Sequence, residues 1–349
     1  MKEAKQYRGY IGTYTKGDSE GIYSFILDAE EGIIKNVSVA ATLDNPTYLT
    51  VTDSNKQLYA VAKEGDEGGV AAYSIGDNGE LSKLNSTAEA GSPPCHVSVN
   101  TDYGVLSANY HKGTIDFYEL NPDGSIQPAA SIAKHEGSGP DPRQEKAHSH
   151  YAGFTPDGKY VVAVELGIDQ VITYKLQGNQ LIKVSQLDTR PGSGPRHLAF
   201  HPNKEYAYVM TEFSSEVLVL KYNQEDGSFT QQQAASTLPA EFTENNQGSA
   251  IHLSSDGKFV YAGNRGHNSI AVFSVDPQTF ELTFIEHVST EGDWPRDFIL
   301  DPSEKFVVAS NQESSNLVLY SRDSETGKLT LLQSDITVPD PVCVKFLNY

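Results

Sequence analysis

The chain has 349 residues and a formal net charge of −20, from 46 acidic against 26 basic side chains. Such a charge repels phosphate backbones and anionic membrane surfaces, which argues against nucleic acid or membrane as partner and means that an anionic ligand needs a local cluster of cations. The two cysteines, Cys95 and Cys343, give neither a disulfide framework nor metal-ligand spacing, and residues 1–14 carry no basic-then-apolar leader, so a cytoplasmic protein without a membrane span is expected.

Tyr, Phe, Val and Thr are plentiful, Gly and Pro are frequent, and no long stretch has helical periodicity, which predicts an all-β fold. In chain order, residues 10–13 and 21–25 read as two strands with no opening strand before them. From there one pattern recurs at the spacing of a four-stranded propeller blade. Opening strands begin at Pro46-Thr47-Tyr48-Leu49, Pro94-Cys95-His96-Val97, His148-Ser149-His150-Tyr151, Pro195-Arg196-His197-Leu198, Ala250-Ile251-His252-Leu253 and Pro295-Arg296-Asp297-Phe298. Each enters a tight turn, such as Pro156-Asp157-Gly158-Lys159, that reverses the chain into a hairpin. Second strands follow at residues 58–62, 105–108, 160–164, 206–210, 259–263 and 306–310. Third strands include Val171-Ile172-Thr173-Tyr174 and Leu317-Val318-Leu319-Tyr320, and a weaker fourth strand ends each unit. The C-terminus then supplies one more opening strand, Pro341-Val342-Cys343-Val344-Lys345-Phe346, with no partner after it. Joined to the two N-terminal strands it completes a seventh blade and removes open edges. The expectation is a single domain over 1–349, a seven-bladed β-propeller whose ring is closed by the N- and C-terminal strands in one blade.

In a blade, the start of the innermost strand and the end of the second strand share one face, so two sequence columns meet at one mouth of the channel. The strand openings bring Tyr48, His96, His150, Arg196, His197, His252, Arg296 and Asp297; the second-strand ends bring Thr13, Glu64, Asn109, Glu165, Glu212, Arg265 and Asn311. A guanidinium fork matches phosphate and carboxylate, so Arg196, Arg265 and Arg296 are the candidate anion ligands, and a Glu among them stays ionised and can act as a base. The histidines at equivalent positions also suit braces between blades. His148 and His150, two apart on one strand face, are half of a metal site; no thiolate or tight carboxylate cluster accompanies them, so no metal or other cofactor is expected. The segment 135–146 is long for its place and predicts a lip over the ligand, with Arg143 and Gln144 as contacts.

At Tyr10-Ile11-Gly12-Thr13-Tyr14, Pro142-Arg143-Gln144 with Ala147-His148-Ser149-His150, Gly194-Pro195-Arg196-His197, Thr211-Glu212, Gly263-Asn264-Arg265 and Trp294-Pro295-Arg296, the chain resembles the lactonase family of seven-bladed propellers. That family contains bacterial 6-phosphogluconolactonases and is related to fungal carboxymuconate lactonizing enzymes. The resemblance covers essentially the whole chain and implies hydrolysis of 6-phospho-D-glucono-1,5-lactone to 6-phosphogluconate, in the oxidative pentose phosphate pathway. It implies a His, a Glu and arginines at the mouth, matched here by His148 or His150, Glu212, Arg196 and Arg265. The expected chemistry has Arg265 and Arg196 holding the phosphate and polarising the carbonyl. Glu212 or Glu165 takes a proton from water, assisted by His150, while Arg296, His148, His197, Arg143 and Asn311 serve substrate binding. The partner expected is thus a small phosphorylated sugar lactone, and the protein a monomer or weak oligomer. The alternatives are another lactone hydrolase or a lactonizing cycloisomerase on the same scaffold, and a non-catalytic propeller binding proteins on its rim.

Overall fold

The structure is a computed structural model and describes residues 6–349; residues 1–5, which the single-domain and leader expectations include, lie outside the described residues. Every regular element among the described residues is a β-strand, and the strands form seven four-stranded antiparallel sheets. Blade 1 joins the two ends of the chain, with Pro341–Phe346 innermost, followed outward by Gln6–Thr13, Gly21–Asp28 and Ile33–Thr42. Blades 2 to 7 are consecutive in sequence, with innermost strands Leu49–Val51, His96–Asn100, Ser149–Phe154, Pro195–Phe200, Gln247–Leu253 and Pro295–Leu300. Those innermost strands contact one another in sequence order around the whole ring. The seven-bladed, end-closed propeller predicted from the repeat is therefore the fold. No helix among the described residues is long and apolar enough to cross a membrane.

Each sheet buries both faces against its neighbours, and the hydrophobic core accordingly divides into clusters at the blade interfaces. Val161, Val162, Ala163 and Val164 illustrate the consequence: Val162 and Val164 pack towards blade 5, Val161 and Ala163 towards blade 3, so the run is apolar throughout rather than alternating. Tyrosines of the second strands reinforce these interfaces. The hydroxyls of Tyr10, Tyr59, Tyr208 and Tyr261 donate to the carbonyls of Gly79, Gly124, Phe280 and Gly327, each in the outer turn of the next blade, at 2.7 to 3.0 Å. A buried ring with a satisfied hydroxyl fixes the angle between blades as well as filling space.

The mouth of the channel depends on a recurring irregularity. In blades 4, 5 and 7 the innermost strand carries one extra residue near its start: Ser149 pairs with Glu165 and Tyr151 with Val164; Pro195 with Thr211 and His197 with Met210; Pro295 with Asn311 and Asp297 with Ser310. The residues skipped by the ladder are His150, Arg196 and Arg296. Blade 1 skips Val342 in the same way. Such bulges re-aim a side chain that strict alternation would send elsewhere, and they occur beside active sites.

Closure rests on residues 9–13 pairing with residues 341–346, and Phe346 packs edge-on against Phe25 with ring centroids 5.3 Å apart. Phe346→Ala is expected to cost about 3–4 kcal/mol of stability, seen as a lower urea unfolding midpoint. Val184→Ala, at a position 43% exposed on an outer strand, is the control and should stay within about 0.5 kcal/mol of wild type.

Candidate active site

A cavity of about 660 Å³ opens at the bulged end of the channel, roughly mid-range for small-molecule sites. Its walls bring together Glu212, Arg265, Arg196, Arg296, His150 and His197 of the residues predicted from sequence. Tyr14, Lys63 and Tyr110 also line it.

The local fold explains how the central group meets. Gly194, with φ of +62°, turns the chain into Pro195 beside the Phe213 ring, where a Cβ would clash at 2.5 Å. The Glu212 amide donates to the Gly194 carbonyl, and the Gly248 amide donates to the Glu212 carbonyl, tying blade 6 against blade 5. Gly248 allows that approach, since a Cβ there would lie 2.2 Å from the Thr211 carbonyl oxygen. Arg196 from the bulge and Arg265 from the end of its strand then converge on one carboxylate oxygen, Arg196 Nε 3.1 Å and Arg265 Nη2 2.8 Å from Glu212 Oε2. Arg196 Nη1 also donates to Ser249 O and Arg265 Nη2 to Gly248 O, each at 2.7 Å.

Burial alone would raise the pKa of Glu212, but Arg265, Arg196 and Arg296 outweigh it and hold the carboxyl below its usual value. Burial and the Arg265 charge lower Arg196 to about 9, which leaves it charged at neutral pH. Burial, followed by the charges of Arg196, Arg296 and Arg265, depresses His150 well below the ordinary imidazole value; His197 is depressed by burial, Arg196 and His150. The site thus contains an ionised carboxylate, charged guanidinium groups and neutral imidazoles. His150 Nδ1, His197 Nε2 and Arg265 Nε are buried without a hydrogen-bond partner among the described residues.

An aromatic floor lies beneath. Tyr48 packs on His96 with centroids 4.4 Å apart, His96 on Tyr151 at 4.6 Å, and His150 meets the edge of His197 at 5.1 Å. Under the floor Asp297 lies 3.4 Å from His252 Nε2 and 4.0 Å from Lys345 Nζ. Burial opposes its ionisation, and Lys345 and His252 overcome this and keep its pKa low. His252 therefore belongs to a level below the cavity. The ladders also put Tyr151, not His150, opposite Val164 in the place that His197 takes opposite Met210, so the histidine column read from sequence spans different levels of the channel.

Glu165, Asn311, His148, Arg143 and Gln144, among other residues expected at the mouth, do not line the cavity. Glu165 is buried inside blade 4, where it accepts from the Ser149 hydroxyl at 2.5 Å and the His148 amide, and lies 2.7 Å from His135 Nδ1. Asn311 donates to Thr290 O at 2.7 Å, as Asn264 donates to Thr237 O and Asn109 to Ser92 O. Thr13, Glu165, Thr211 and Asn311 pair with the first residue of the innermost strand, and Asn109, Asn264 and Asn311 brace the segment entering their blades. Glu212, Arg265, Tyr14 and Tyr110 come one residue later, and one residue turns a side chain to the other face. That offset is the signal by which sequence could have separated Glu212 from Glu165 and found Tyr14 and Tyr110.

His148 stacks on the Tyr110 ring at 4.1 Å, with Nδ1 2.8 Å from Tyr110 O and Nε2 3.1 Å from Glu145. It is separated from His150 by the bulge and supports the cavity wall from behind. Arg143 lies over the Phe213 ring at 3.8 Å and pairs with Asp141, while Gln144 is buried and donates to Leu166 O. The lip segment is thus pinned to blades 4 and 5. Among the described residues no group of three or more His, Cys, Asp or Glu side chains is arranged to hold a metal ion.

Glu165→Ala would leave the buried His148 amide and Ser149 hydroxyl without their acceptor, so a loss of about 3 kcal/mol is expected. Calorimetry should show a clearly lower melting temperature for this variant.

Comparison with known proteins adds four relationships. Residues 8–346 match the family model described as lactonase, 7-bladed beta-propeller. The chain is 55% identical over 345 residues to the 6-phosphogluconolactonase of Bacillus subtilis (strain 168), covering 98% of this chain and 99% of that one. It superposes on the periplasmic gluconolactonase of Pseudomonas aeruginosa with a TM-score of 0.93 at 32% identity, covering 98% of this chain and 99% of that one. A Lactobacillus plantarum protein of known structure matches at TM-score 0.95 and 45% identity, covering 99% of this chain and all of that one.

Proposed function

The chain belongs to the seven-bladed β-propeller lactonase family, and from that premise we propose that it hydrolyses 6-phospho-D-glucono-1,5-lactone to 6-phosphogluconate. The observation that carries this reading is the charge of the cavity. In a protein of net charge −20 the lining holds four cations, Lys63, Arg196, Arg265 and Arg296, against two carboxylates, Asp66 and Glu212. Such a concentration of positive charge in an acidic protein suits an anionic substrate and an anionic transition state. The 6-phosphogluconolactonase relative has that substrate in its name.

In the proposed reaction a water oxygen attacks the lactone carbonyl carbon while Glu212, ionised and facing the cavity, takes the proton. The carbonyl oxygen becomes an oxyanion stabilised by the guanidinium groups of Arg196 and Arg265. Collapse restores the carbonyl and breaks its bond to the ring oxygen, which leaves as the C5 hydroxyl after receiving a proton. The product is the open-chain acid. Neutral His150, with an unpartnered nitrogen, is suited to orient the water or pass the proton to the leaving oxygen. Glu165, sealed in blade 4, serves in this scheme as a support for the strand that carries His150. A cytoplasmic monomer or weak oligomer fits the same reading, since Cys95 and Cys343 are unpaired and the ring closes on itself.

The test is acceleration of lactone opening over the spontaneous rate. Wild type should accelerate it, and Glu212→Gln and Arg265→Ala should each lose about 10²-fold or more of kcat/KM; a wild type no faster than spontaneous opening overturns the substrate. The pH profile provides a second test. The active form of Glu212 is the ionised one and its pKa is lowered, so activity is lost only as pH falls through that lowered value. The rate above background should still exceed half of its neutral-pH value at pH 4.5, the ordinary glutamate value. A falling limb near 6.5 would overturn Glu212 as the base.

A further inference from the structure

The cations of the cavity are not equivalent. Arg196 and Arg265 are committed: both bind Glu212 and both donate to backbone carbonyls. A phosphate dianion seeking the full fork of either would have to compete with Glu212. Arg296 is free of such ties. It is the bulge residue of blade 7 and lines the same cavity, yet among the described residues no carboxylate or carbonyl engages its guanidinium. Its packing partner is the ring of Tyr14, 5.4 Å away, and the Tyr14 hydroxyl, also at the cavity, has no partner among the described residues either. The Arg296 charge nevertheless acts on Glu212, Arg196, Arg265 and His150, so it stands near the reacting group without being bonded to it.

This arrangement deepens the lactonase reading and rests on it. We propose that Arg296, with the Tyr14 hydroxyl, forms the phosphoryl subsite, separate from the lactone subsite of Glu212, Arg196, Arg265 and His150, and that Arg296 sets the preference for a phosphorylated over a plain sugar lactone. A planar guanidinium with its full fork available is the group best matched to a phosphate dianion. The lactone carbonyl at C1 and the phosphorylated C6 arm on C5 project from the two carbons that flank the ring oxygen, so a molecule bridging the two subsites would place each charge on its own cation. The assignment departs from the sequence-based expectation that Arg196 and Arg265 hold the phosphate, because Glu212 already occupies them.

The experiment measures kcat/KM of the full-length protein for 6-phosphogluconolactone and for plain gluconolactone, and compares their ratio among variants. Arg296→Gln should lower the ratio by about 10- to 100-fold, mainly through KM for the phosphorylated lactone, as expected for one lost charged hydrogen-bonding partner. Tyr14→Phe should lower it by about 2- to 10-fold. Arg265→Gln should depress both substrates and leave the ratio within about 3-fold of wild type, since its loss falls on the shared lactone end. Melting curves check that each variant is folded. A ratio unchanged in Arg296→Gln, or one that falls as far in Arg265→Gln, overturns the subsite while the lactonase reading stands. A wild type that does not accelerate opening of the phosphorylated lactone overturns both.

Discussion

Seven twisted sheets enclose one channel only if the last meets the first, and here that depends on a single antiparallel pairing between residues 9–13 and 341–346. The pairing brings the two ends of the chain into one blade and thereby fixes where every other blade points. It also builds part of the site directly. Val342 and Tyr14, from opposite ends of the sequence, both line the cavity, and Lys345 braces the floor beneath it through Tyr48 and Asp297. Stability and site geometry therefore share one element, since loosening the closure would displace the floor and the wall together.

The fold was legible because its signal is repeated. Apolar second strands, turn residues at a fixed offset and an unpaired strand at each end specify both the blade and its closure. The site was legible in composition but less so in register. Bulges insert one residue into the innermost strands of blades 4, 5 and 7, and nothing in the local residue types marks them. Alignment by residue type therefore set Glu165 beside Glu212 and Asn311 beside Arg265, although the ladders offset each pair by one position. In a strand one position is the difference between lining the channel and bracing a loop. The same offset hid Tyr14 and Tyr110, which follow the last residues of their strands and look like loop residues in sequence.

Sharing Glu212 between two arginines has a chemical consequence beyond holding blades 5 and 6 together. A buried carboxylate with one partner balances charge; with two it leaves positive charge over, and the neutral histidines around it do not remove that excess. Repulsion between Arg265 and Arg196 opposes their ionisation, and an incoming anion relieves it. That surplus of positive charge is confined to this cavity in a protein that is otherwise acidic. Burying several charges at one mouth is costly to the fold, which is the usual sign that they are retained for chemistry rather than for stability.

Blade 4 supplies the counter-example that shows what residue types alone do not establish. Ser149, Glu165 and His135 lie within 2.5 to 2.9 Å of one another, a hydroxyl, a carboxylate and an imidazole as in many hydrolases. Two features deny them that role. The Ser149 hydroxyl donates its hydrogen bond to Glu165, so the carboxylate blocks it instead of orienting an imidazole that activates it. All three side chains are buried and none lines the cavity. The trio holds the start of the innermost strand, and the next residue is His150, which does face the cavity. A hydrolytic constellation enclosed in a blade thus acts as masonry, while a carboxylate one register further along another blade, clamped by two guanidinium groups and open to the channel, has both the charge and the access that lactone hydrolysis requires.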